Sequence, residues 1–155
     1  MSYYIIIRGP LGVGKTTIAK KLAKLLRAEY ISIDALLEKY NLDKVSHYEK
    51  TIPAKNFIKT QEMILSDVKE KLMRGKIVIF DGCFHQKPAL KHLIKSLPQK
   101  HHAFTLKASL KTCVERDSAR KLSYGKDAAK AVHYLVSKFD YGEVINTDKK
   151  TVKQT

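Results

Sequence analysis

One stretch near the N-terminus constrains this chain more than any other: Gly9-Pro10-Leu11-Gly12-Val13-Gly14-Lys15-Thr16-Thr17. Its spacing, G-x-x-x-x-G-K-[ST], is that of the phosphate-binding loop, or Walker A motif. Glycines are required there because successive backbone N–H groups turn inward around a polyphosphate, where a Cβ would clash or φ must be positive. The lysine then contacts the β- and γ-phosphates, and the threonine hydroxyl is a ligand for Mg²⁺. The stretch predicts a site for nucleotide phosphates.

The flanking residues support this interpretation. Tyr4-Ile5-Ile6-Ile7 before the loop is typical of a buried parallel strand, and the apolar residues after it share one helical face: Ile18, Ala19, Leu22 and Leu25. A helix that starts near Lys15 directs its positive end at the bound anion. The alternative is a glycine-rich turn that merely joins two elements. A strand, a glycine loop and a helix in succession favour the phosphate site.

Length and composition indicate one domain over residues 1–155 of an ordinary globular protein, with 44% hydrophobic and 29% charged residues. No apolar run approaches the roughly 18 residues of a membrane span, so we expect no membrane partner. The N-terminus is typical of a strand and not of a signal peptide. Cys83 and Cys113 have neither disulfide-framework nor metal-ligand spacing. We therefore expect reduced thiols and a cytoplasmic location.

The net charge of +15 is distributed evenly along the chain. Residues 1–80 hold 15 Lys and Arg against 8 Asp and Glu, and residues 81–155 hold 15 against 7. Such a charge attracts polyanions, including nucleotides and nucleic acid. Solvated helix faces explain most lysines equally well, since no basic block is present. The charge permits a nucleic-acid partner without demonstrating one.

Apolar runs of strand type alternate with helical patterns along the chain. Strands are expected near 3–7, 29–33, 76–80, 102–107 and 143–146. Helices are expected near 15–27, 35–40, 54–74, 87–96, 109–122 and 127–139. This alternation predicts an α/β fold, a parallel sheet with helices on both faces. Polar segment 41–53 is expected to be the most mobile part of the first half, and ligands should bind at the carboxyl ends of the strands.

Two aspartates follow predicted strands at that edge. Asp34, after the second strand, would face the phosphate loop, where it can accept the proton of an acceptor hydroxyl or hold water on the metal. It can equally cap the helix expected at Ala35. Asp81 follows four apolar residues, a second nucleotide signature whose carboxylate orients the hydration shell of Mg²⁺. The alternative for Asp81-Gly82 is an ordinary turn.

Arg116 and Arg120, four residues apart, would share one face at the end of a helix, beside a flexible segment containing Gly125. That placement predicts a lid around residues 116–127. One guanidinium would stack on the base, and the other would reach the transferring phosphate, whose charge suits a planar donor. The alternative is a surface pair balanced by neighbouring acids.

Two loops at the same edge are candidates for contacts with substrate. Residues 83–86, Cys-Phe-His-Gln, follow the third strand and can touch the acceptor, although His85 can equally be a surface or helix-start residue. Residues 146–149, Asn-Thr-Asp-Lys, lie where a base-contacting loop would fall. His101-His102 open a strand with no third ligand, so they predict no metal site.

The glycine loop, Asp34, Asp81-Gly82 and the R-x-x-x-R pair together resemble the small P-loop kinases. That group includes adenylate kinase-like proteins, shikimate kinase, chloramphenicol phosphotransferase and the kinase domain of polynucleotide kinase. The resemblance implies a five-stranded parallel sheet of order 2-3-1-4-5, ATP as donor, Mg²⁺, and a lid that excludes water. By position it makes Lys15 and Thr16 the phosphate and metal residues and Asp34 the acceptor-side carboxylate. It makes Arg116 the adenine-stacking arginine and Arg120 the phosphate-reaching one.

The sequence departs from these relatives on the acceptor side. No arginine lies between Arg27 and Arg74, or between Arg74 and Arg116, so a bidentate clamp on an acceptor phosphate or carboxylate is not in evidence. Lysines would be looser substitutes: 39, 44, 50 and 55. The gap favours a neutral hydroxyl acceptor, on a small molecule or at a nucleic-acid 5′ end.

Three functions remain open. The first is an ATP- and Mg²⁺-dependent phosphotransferase acting on a hydroxyl, with Lys15, Asp34 and Arg120 as catalytic residues and Thr16 and Asp81 on the metal. The second is a 5′-hydroxyl nucleic-acid kinase or nucleic-acid-binding ATPase. The third is a nucleotide-binding regulatory module without transfer, although the guanine signature N-K-x-D is not met at residues 146–149.

Overall fold

The computed structural model describes residues 2–120, 123 and 125–155. Within that part, five parallel strands form one sheet in the order β2-β3-β1-β4-β5, as predicted. The strands are β1 Tyr4–Arg8, β2 Glu29–Ser32, β3 Val78–Gly82, β4 His101–Lys107 and β5 Glu143–Asn146. The helices are α1 Lys15–Leu26, α2 Ile33–Lys39, α3 Ala54–Met73, α4 Lys87–Ser96, α5 Leu110–Ser118 and α6 Lys126–Val136.

The central strand β1 is buried on both faces, which explains its continuous apolar sequence. Tyr4 and Ile6 pack into a core formed with α2, α3 and α4. Ile5 and Ile7 pack on the opposite side, in a core that includes residues of α1 and α5. Because helices cover both faces, the polar groups of the sheet are left at the ends of the strands. In the described residues, no helix is both long and apolar enough to cross a membrane.

Helix α3 follows the predicted pattern closely. Phe57, Val68 and Leu72 are buried on one side, and the helix ends one residue before the expected boundary. Gly75 has a φ of +80°, a conformation that suits glycine and ends the helix.

The structure corrects the boundaries around both aspartates. Strand β3 extends two residues further than predicted, so Asp81 and Gly82 lie inside it, with Asp81 in register with Ile7 of β1. Strand β2 ends at Ser32, whose hydroxyl accepts a hydrogen bond from the Ala35 N–H, 3.1 Å away. Ser32 and not Asp34 therefore caps this helix, so the alternative interpretation of Asp34 as the cap is wrong. Asp34 lies within the first turn of α2, so its carboxylate is available for other contacts.

The region of the predicted lid is only partly described. Helix α5 ends at Ser118, and residues 121, 122 and 124 of the predicted 109–122 helix and 116–127 lid lie outside the described residues. Helix α6 ends at Val136, three residues before the predicted boundary. The carbonyls of Val136 and Phe139 accept hydrogen bonds from Arg8, which explains why the chain leaves the helix there.

Arg8 is a fully buried residue that the strand pattern did not suggest. Its Nη1 donates to Thr105 Oγ1 at 3.1 Å and to Phe139 O at 2.9 Å, and its Nη2 donates to Val136 O at 3.1 Å. The guanidinium also lies 4.3 Å from the centroid of the Phe139 ring. Burial lowers its pKa to about 10, which leaves it charged at neutral pH. Arg8 thereby joins β1, β4 and the end of α6 immediately before the phosphate loop.

We expect Arg8→Met to lower the free energy of unfolding by about 2–4 kcal/mol, because it removes three charge-assisted hydrogen bonds from a buried site. Urea denaturation measures the change. The matched control is Arg74→Met, since Arg74 is exposed and its pair with Glu70 lies on the helix surface. The control should lose less than about 0.5 kcal/mol. Equal values for the two variants would contradict a structural role for Arg8.

Candidate active site

The phosphate loop joins β1 to α1 in a conformation that only its glycines permit. Gly12 has a φ of +77° and Gly14 a φ of +101°, both in the left-handed region. A Cβ on Gly12 would also run into the backbone carbonyl of Cys113 in α5. Gly14 is the N-cap of α1, so the unpaired N–H groups of the first helical turn face the loop. The backbone here can surround a phosphate group.

A cavity of about 460 Å³ opens beside this loop. Loop residues from Gly12 to Thr17 line one wall, and Arg116 and Arg120 of the predicted lid region line another. Further lining residues follow β5: Thr147, Lys150, Thr151, Val152 and Thr155. The structure thus brings most of the predicted phosphate and lid residues together. Three others, Gly9, Pro10 and Leu11, are not among the residues that line the cavity.

Lys15 is 6% exposed and lies on the inner side of the loop, where its Nζ is 3.5 Å from Pro10 O. Burial lowers the pKa of its ammonium, but the electrostatic influence of Cys83, Asp34 and Asp81 outweighs burial and raises the pKa above its usual range. Lys15 is therefore a permanent cation beside two carboxylates. From the sequence, these three residues were expected near one another only because each follows a predicted strand at the same edge of the sheet. In the structure, Asp34 and Asp81 lie close enough to Lys15 to raise its pKa.

Asp34 is partly buried and faces this cation. Burial raises the pKa of its carboxyl, Lys15 opposes that effect, and Asp81 adds to it, so that the net shift is upward. Cys83 lies close to this carboxylate, and its thiol and backbone act to lower the pKa of Asp34. A carboxylate with a raised pKa is a better proton acceptor than an exposed one. Its position suits a general base, and that role stays a prediction.

Asp81 is almost completely buried, and its two carboxylate oxygens have different surroundings. The Tyr30 hydroxyl donates to Oδ2 at 2.6 Å, whereas Oδ1 has no hydrogen-bond partner among the described residues. Burial and then Asp81 raise the pKa of the Tyr30 hydroxyl, and the nearby Thr16 side chain acts in the opposite direction, so both predicted metal residues lie near this phenol. A buried oxygen without a partner fits a water molecule of a Mg²⁺ hydration shell.

The described residues contain no group of three or more His, Cys, Asp or Glu side chains that could hold a metal ion. Magnesium bound here would therefore take most of its ligands from phosphate and water, as nucleotide-bound magnesium does. Thr16 and Asp81 are the residues that would hold it.

Arg116 contacts the phosphate loop and the segment after β5 through its guanidinium nitrogens. Its Nη1 donates to Val13 O at 3.1 Å and Thr147 Oγ1 at 3.0 Å, and its Nη2 donates to Thr147 O at 2.7 Å. Thr147 Oγ1 in turn donates to Val13 O at 3.0 Å. These three residues form a closed network between the phosphate loop, α5 and the segment after β5. Base stacking by the face of the guanidinium stays a prediction.

Arg120 is paired with an acid of its own helix region. Its Nη1 lies 3.5 Å from Asp117 Oδ1, and the buried Asp117 also accepts a hydrogen bond from Ser123 Oγ at 2.8 Å. Arg120 remains about half exposed and lines the same cavity as the phosphate loop. Its contact with a transferring phosphate stays a prediction.

The loop after β3 forms the edge beyond Asp34. Cys83 and Phe84 are buried, and Phe84 has a φ of +47°, which is rare for a bulky residue and common at functional sites. His85 Nε2 is 2.8 Å from Thr51 Oγ1, and Gln86 Nε2 donates to Ile52 O at 2.9 Å. The end of segment 41–53, which was predicted to be mobile, is thus fastened to this loop.

Two residues of the candidate site escaped the sequence analysis. Tyr30 lies inside β2 and looks like any strand aromatic, so nothing in its pattern marks its contact with Asp81. Thr147 was included only as a member of a base-contacting loop, yet it is 3% exposed and bonded to the phosphate loop. Its position directly after β5 is the available signal.

A parallel sheet of this order, with a phosphate loop between its central strand and the following helix, defines a P-loop protein of the small kinase superfamily. Nucleotide binding is the shared property of that class. More narrowly, the chain belongs to the AAA domain family, whose model matches residues 5–137.

Individual relatives agree with this assignment. A Pyrococcus furiosus protein named provisionally as an adenylate kinase is 34% identical over 124 residues, which cover 79% of this chain and 57% of that protein. A shikimate kinase of Histophilus somni is 33% identical over 67 residues, 43% of this chain and 38% of the relative. The chain therefore spans less than two thirds of either protein. A crystal structure of a sugar kinase from Janibacter sp. has the same fold, with a TM-score of 0.77 at 15% identity over 99% of this chain and 90% of that one.

Both cysteines are free and buried in the folded protein. Burial raises the pKa of Cys83 to about 12 and that of Cys113 to about 11. At pH 8, both pKa values lie well above the pH, so both groups are protonated thiols and not the reactive thiolates. We expect both thiols to react with a disulfide reagent far more slowly than free cysteine, and to react fully after denaturation in guanidinium chloride. Rapid labelling of the folded protein at pH 8 would contradict this.

Proposed function

We propose that this chain is a kinase that transfers the γ-phosphoryl group of ATP, bound with Mg²⁺, to a hydroxyl of a small molecule. The observation that carries the proposal is the meeting of Lys15, Asp34 and Asp81 beneath the phosphate loop. A phosphate-binding cation, a candidate base and a candidate metal carboxylate are the groups that phosphoryl transfer to an alcohol needs. The kinase names of the relatives agree with this reaction.

In the proposed mechanism, the N–H groups of the phosphate loop and the Lys15 ammonium hold the β- and γ-phosphates in place. Asp34 accepts the proton of the acceptor hydroxyl as its oxygen forms a bond to the γ-phosphorus, and the bond to the ADP oxygen breaks. Lys15 and Arg120 stabilise the charge on the moving group. Bound Mg²⁺ supplies further neutralisation of the phosphate oxygens.

The acceptor side of the site favours a neutral hydroxyl compound. Arg8 lies near this edge, where its charge affects Cys83 and His85, but its Nη groups are already bonded to backbone carbonyls and to Thr105. It therefore adds no guanidinium fork for an acceptor phosphate or carboxylate. A sugar or a similar alcohol fits these groups, as the sugar kinase of the same fold also suggests.

The first test is the pair of variants Lys15→Ala and Asp34→Asn. We expect Lys15→Ala to remove ATP binding and turnover, because it deletes the phosphate cation. We expect Asp34→Asn to lower kcat by about 10²- to 10⁴-fold while leaving the affinity for ATP nearly unchanged, since only the proton acceptor is lost. Lys24→Ala, at an exposed position of α1, is the control. Labelled γ-phosphate transfer and ATP titration measure the two effects.

The acceptors in that assay separate the competing functions. They are nucleosides, sugars, small alcohols and 5′-hydroxyl oligonucleotides. Transfer to oligonucleotides alone, or ATP hydrolysis that polynucleotide stimulates and salt suppresses, would favour the nucleic-acid function instead. ATP binding without transfer to any acceptor would favour a regulatory module. Normal turnover by Asp34→Asn would rule out that residue as the base.

A further inference from the structure

His85 lies in the loop that follows β3, at the carboxyl edge of the sheet where ligands of parallel sheets bind. It is two residues after Cys83, which influences the pKa of Asp34, and one residue before Gln86, the N-cap of α4. Its ring meets the Phe57 ring edge to face, with centroids 5.2 Å apart and an interplanar angle of 87°. The contacts with Phe57 and Thr51 hold the imidazole in one orientation.

The two ring nitrogens of His85 are used differently. Nε2 is 2.8 Å from Thr51 Oγ1, while Nδ1 is buried and has no hydrogen-bond partner among the described residues. Burial, and secondarily the charge of Arg8, lower the pKa of the ring to about 4, so that it is neutral at physiological pH. A neutral imidazole offers one hydrogen bond through Nδ1 and no charge.

Unpaired buried nitrogens are uncommon, because each costs about 1–3 kcal/mol when no partner replaces water. A second one occurs at the same edge: Arg8 Nε is buried and unpaired, although the rest of the guanidinium is bonded. The thiol of Cys83 lies within electrostatic influence of Arg8. Arg8 also influences the pKa of His85, so the two unpaired nitrogens lie in one region after β3, where a bound ligand would supply the missing partner.

We propose, on the basis of the kinase function above, that His85 Nδ1 binds a second hydroxyl group of the acceptor, one that is not phosphorylated. The acceptor is then a polyol, such as a sugar or sugar alcohol, and not a monohydroxy compound. Asp34 receives the proton of the reacting hydroxyl, and His85 fixes the orientation of the molecule through the other. His85 is in this sense a specificity-determining residue.

Two substitutions separate the ring nitrogens. His85→Gln places an amide near the position of Nε2, which retains the contact with Thr51 and loses the group at Nδ1. His85→Asn places an amide near the position of Nδ1 and loses the contact with Thr51. A third variant, Thr51→Val, removes only the partner of Nε2 and leaves the ring itself intact. KM for ATP should stay unchanged in all three.

The acceptor probes are D-glucose, its monodeoxy derivatives, glycerol and propan-1-ol, each assayed by labelled phosphate transfer. We expect the wild-type protein to prefer polyols, with one missing hydroxyl costing about 10-fold in kcat/KM, the value of one hydrogen bond. His85→Gln should raise KM for the intact polyol and leave KM for the monodeoxy derivative unchanged, so that the two acceptors are used equally well. His85→Asn and Thr51→Val should preserve the preference for the intact polyol. A double-mutant cycle, in which the two changes are His85→Gln in the protein and removal of one hydroxyl from the acceptor, measures the interaction between them from the four values of kcat/KM.

The opposite pattern would overturn the inference. If His85→Gln behaves as wild type while His85→Asn and Thr51→Val are impaired, the ring serves only to fasten segment 41–53. Equal use of propan-1-ol and polyols by the wild-type protein would refute the inference and leave the kinase function standing. Transfer to none of the hydroxyl compounds in the wider acceptor assay, despite ATP binding, would refute the kinase function, and the role of His85 with it.

Discussion

A buried ammonium group determines the arrangement of this site. Lys15 is 6% exposed, and an isolated charge at such a position is costly to bury. The neighbouring carboxylates of Asp34 and Asp81 compensate for that cost. The same groups are those that phosphoryl transfer would use. The carboxylates therefore stabilise the buried charge of Lys15 in the folded protein. The same charge attracts a polyphosphate, which would be a further anionic partner for Lys15.

The strand order makes this arrangement possible. Because β3 lies between β2 and β1, Asp81 is level with Ser32 on one side and Ile7 on the other. The end of β2 then delivers Asp34 to the same edge, and the turn after β3 delivers Cys83 and His85. Parallel strands place all their carboxyl ends together, so residues distant in sequence share one small volume. Helices on both faces leave that edge as the open part of the domain.

The phosphate loop and the parallel sheet could be predicted from the sequence, each for a different physical reason. The phosphate loop was recognisable because its backbone conformation demands glycine at fixed positions, and the parallel sheet followed from apolar runs that alternate with helical patterns. The capping role of Asp34 was wrong because Ser32 and Asp34 are both good capping residues, and only the true end of β2 selects between them. Local sequence cannot decide such a competition.

The contacts that sequence reasoning missed are long-range. Arg8 bonds to residues 97 to 131 positions away, and an arginine at the end of a strand ordinarily indicates exposure, not burial. Tyr30 and Asp81 are 51 positions apart. The sequence pattern of a strand does not reveal such a pair, because each residue is compatible with its own strand whether or not the other is present. They become visible only when the strands are placed side by side.

The network of Val13, Arg116 and Thr147 has a consequence for how this protein would distinguish one nucleotide from another. Thr147 lines the cavity beside the phosphate loop, on the segment predicted to contact the base, and its hydroxyl donates to the carbonyl of Val13 in that loop. A base that fits poorly and displaces Thr147 would also shift Val13, because the two residues are hydrogen-bonded, and would thereby change the conformation of the phosphate loop. Mismatch at one end of the nucleotide is then transmitted to the other as misalignment of the triphosphate. Such a protein would reject a wrong nucleotide through slow chemistry as well as through weak association.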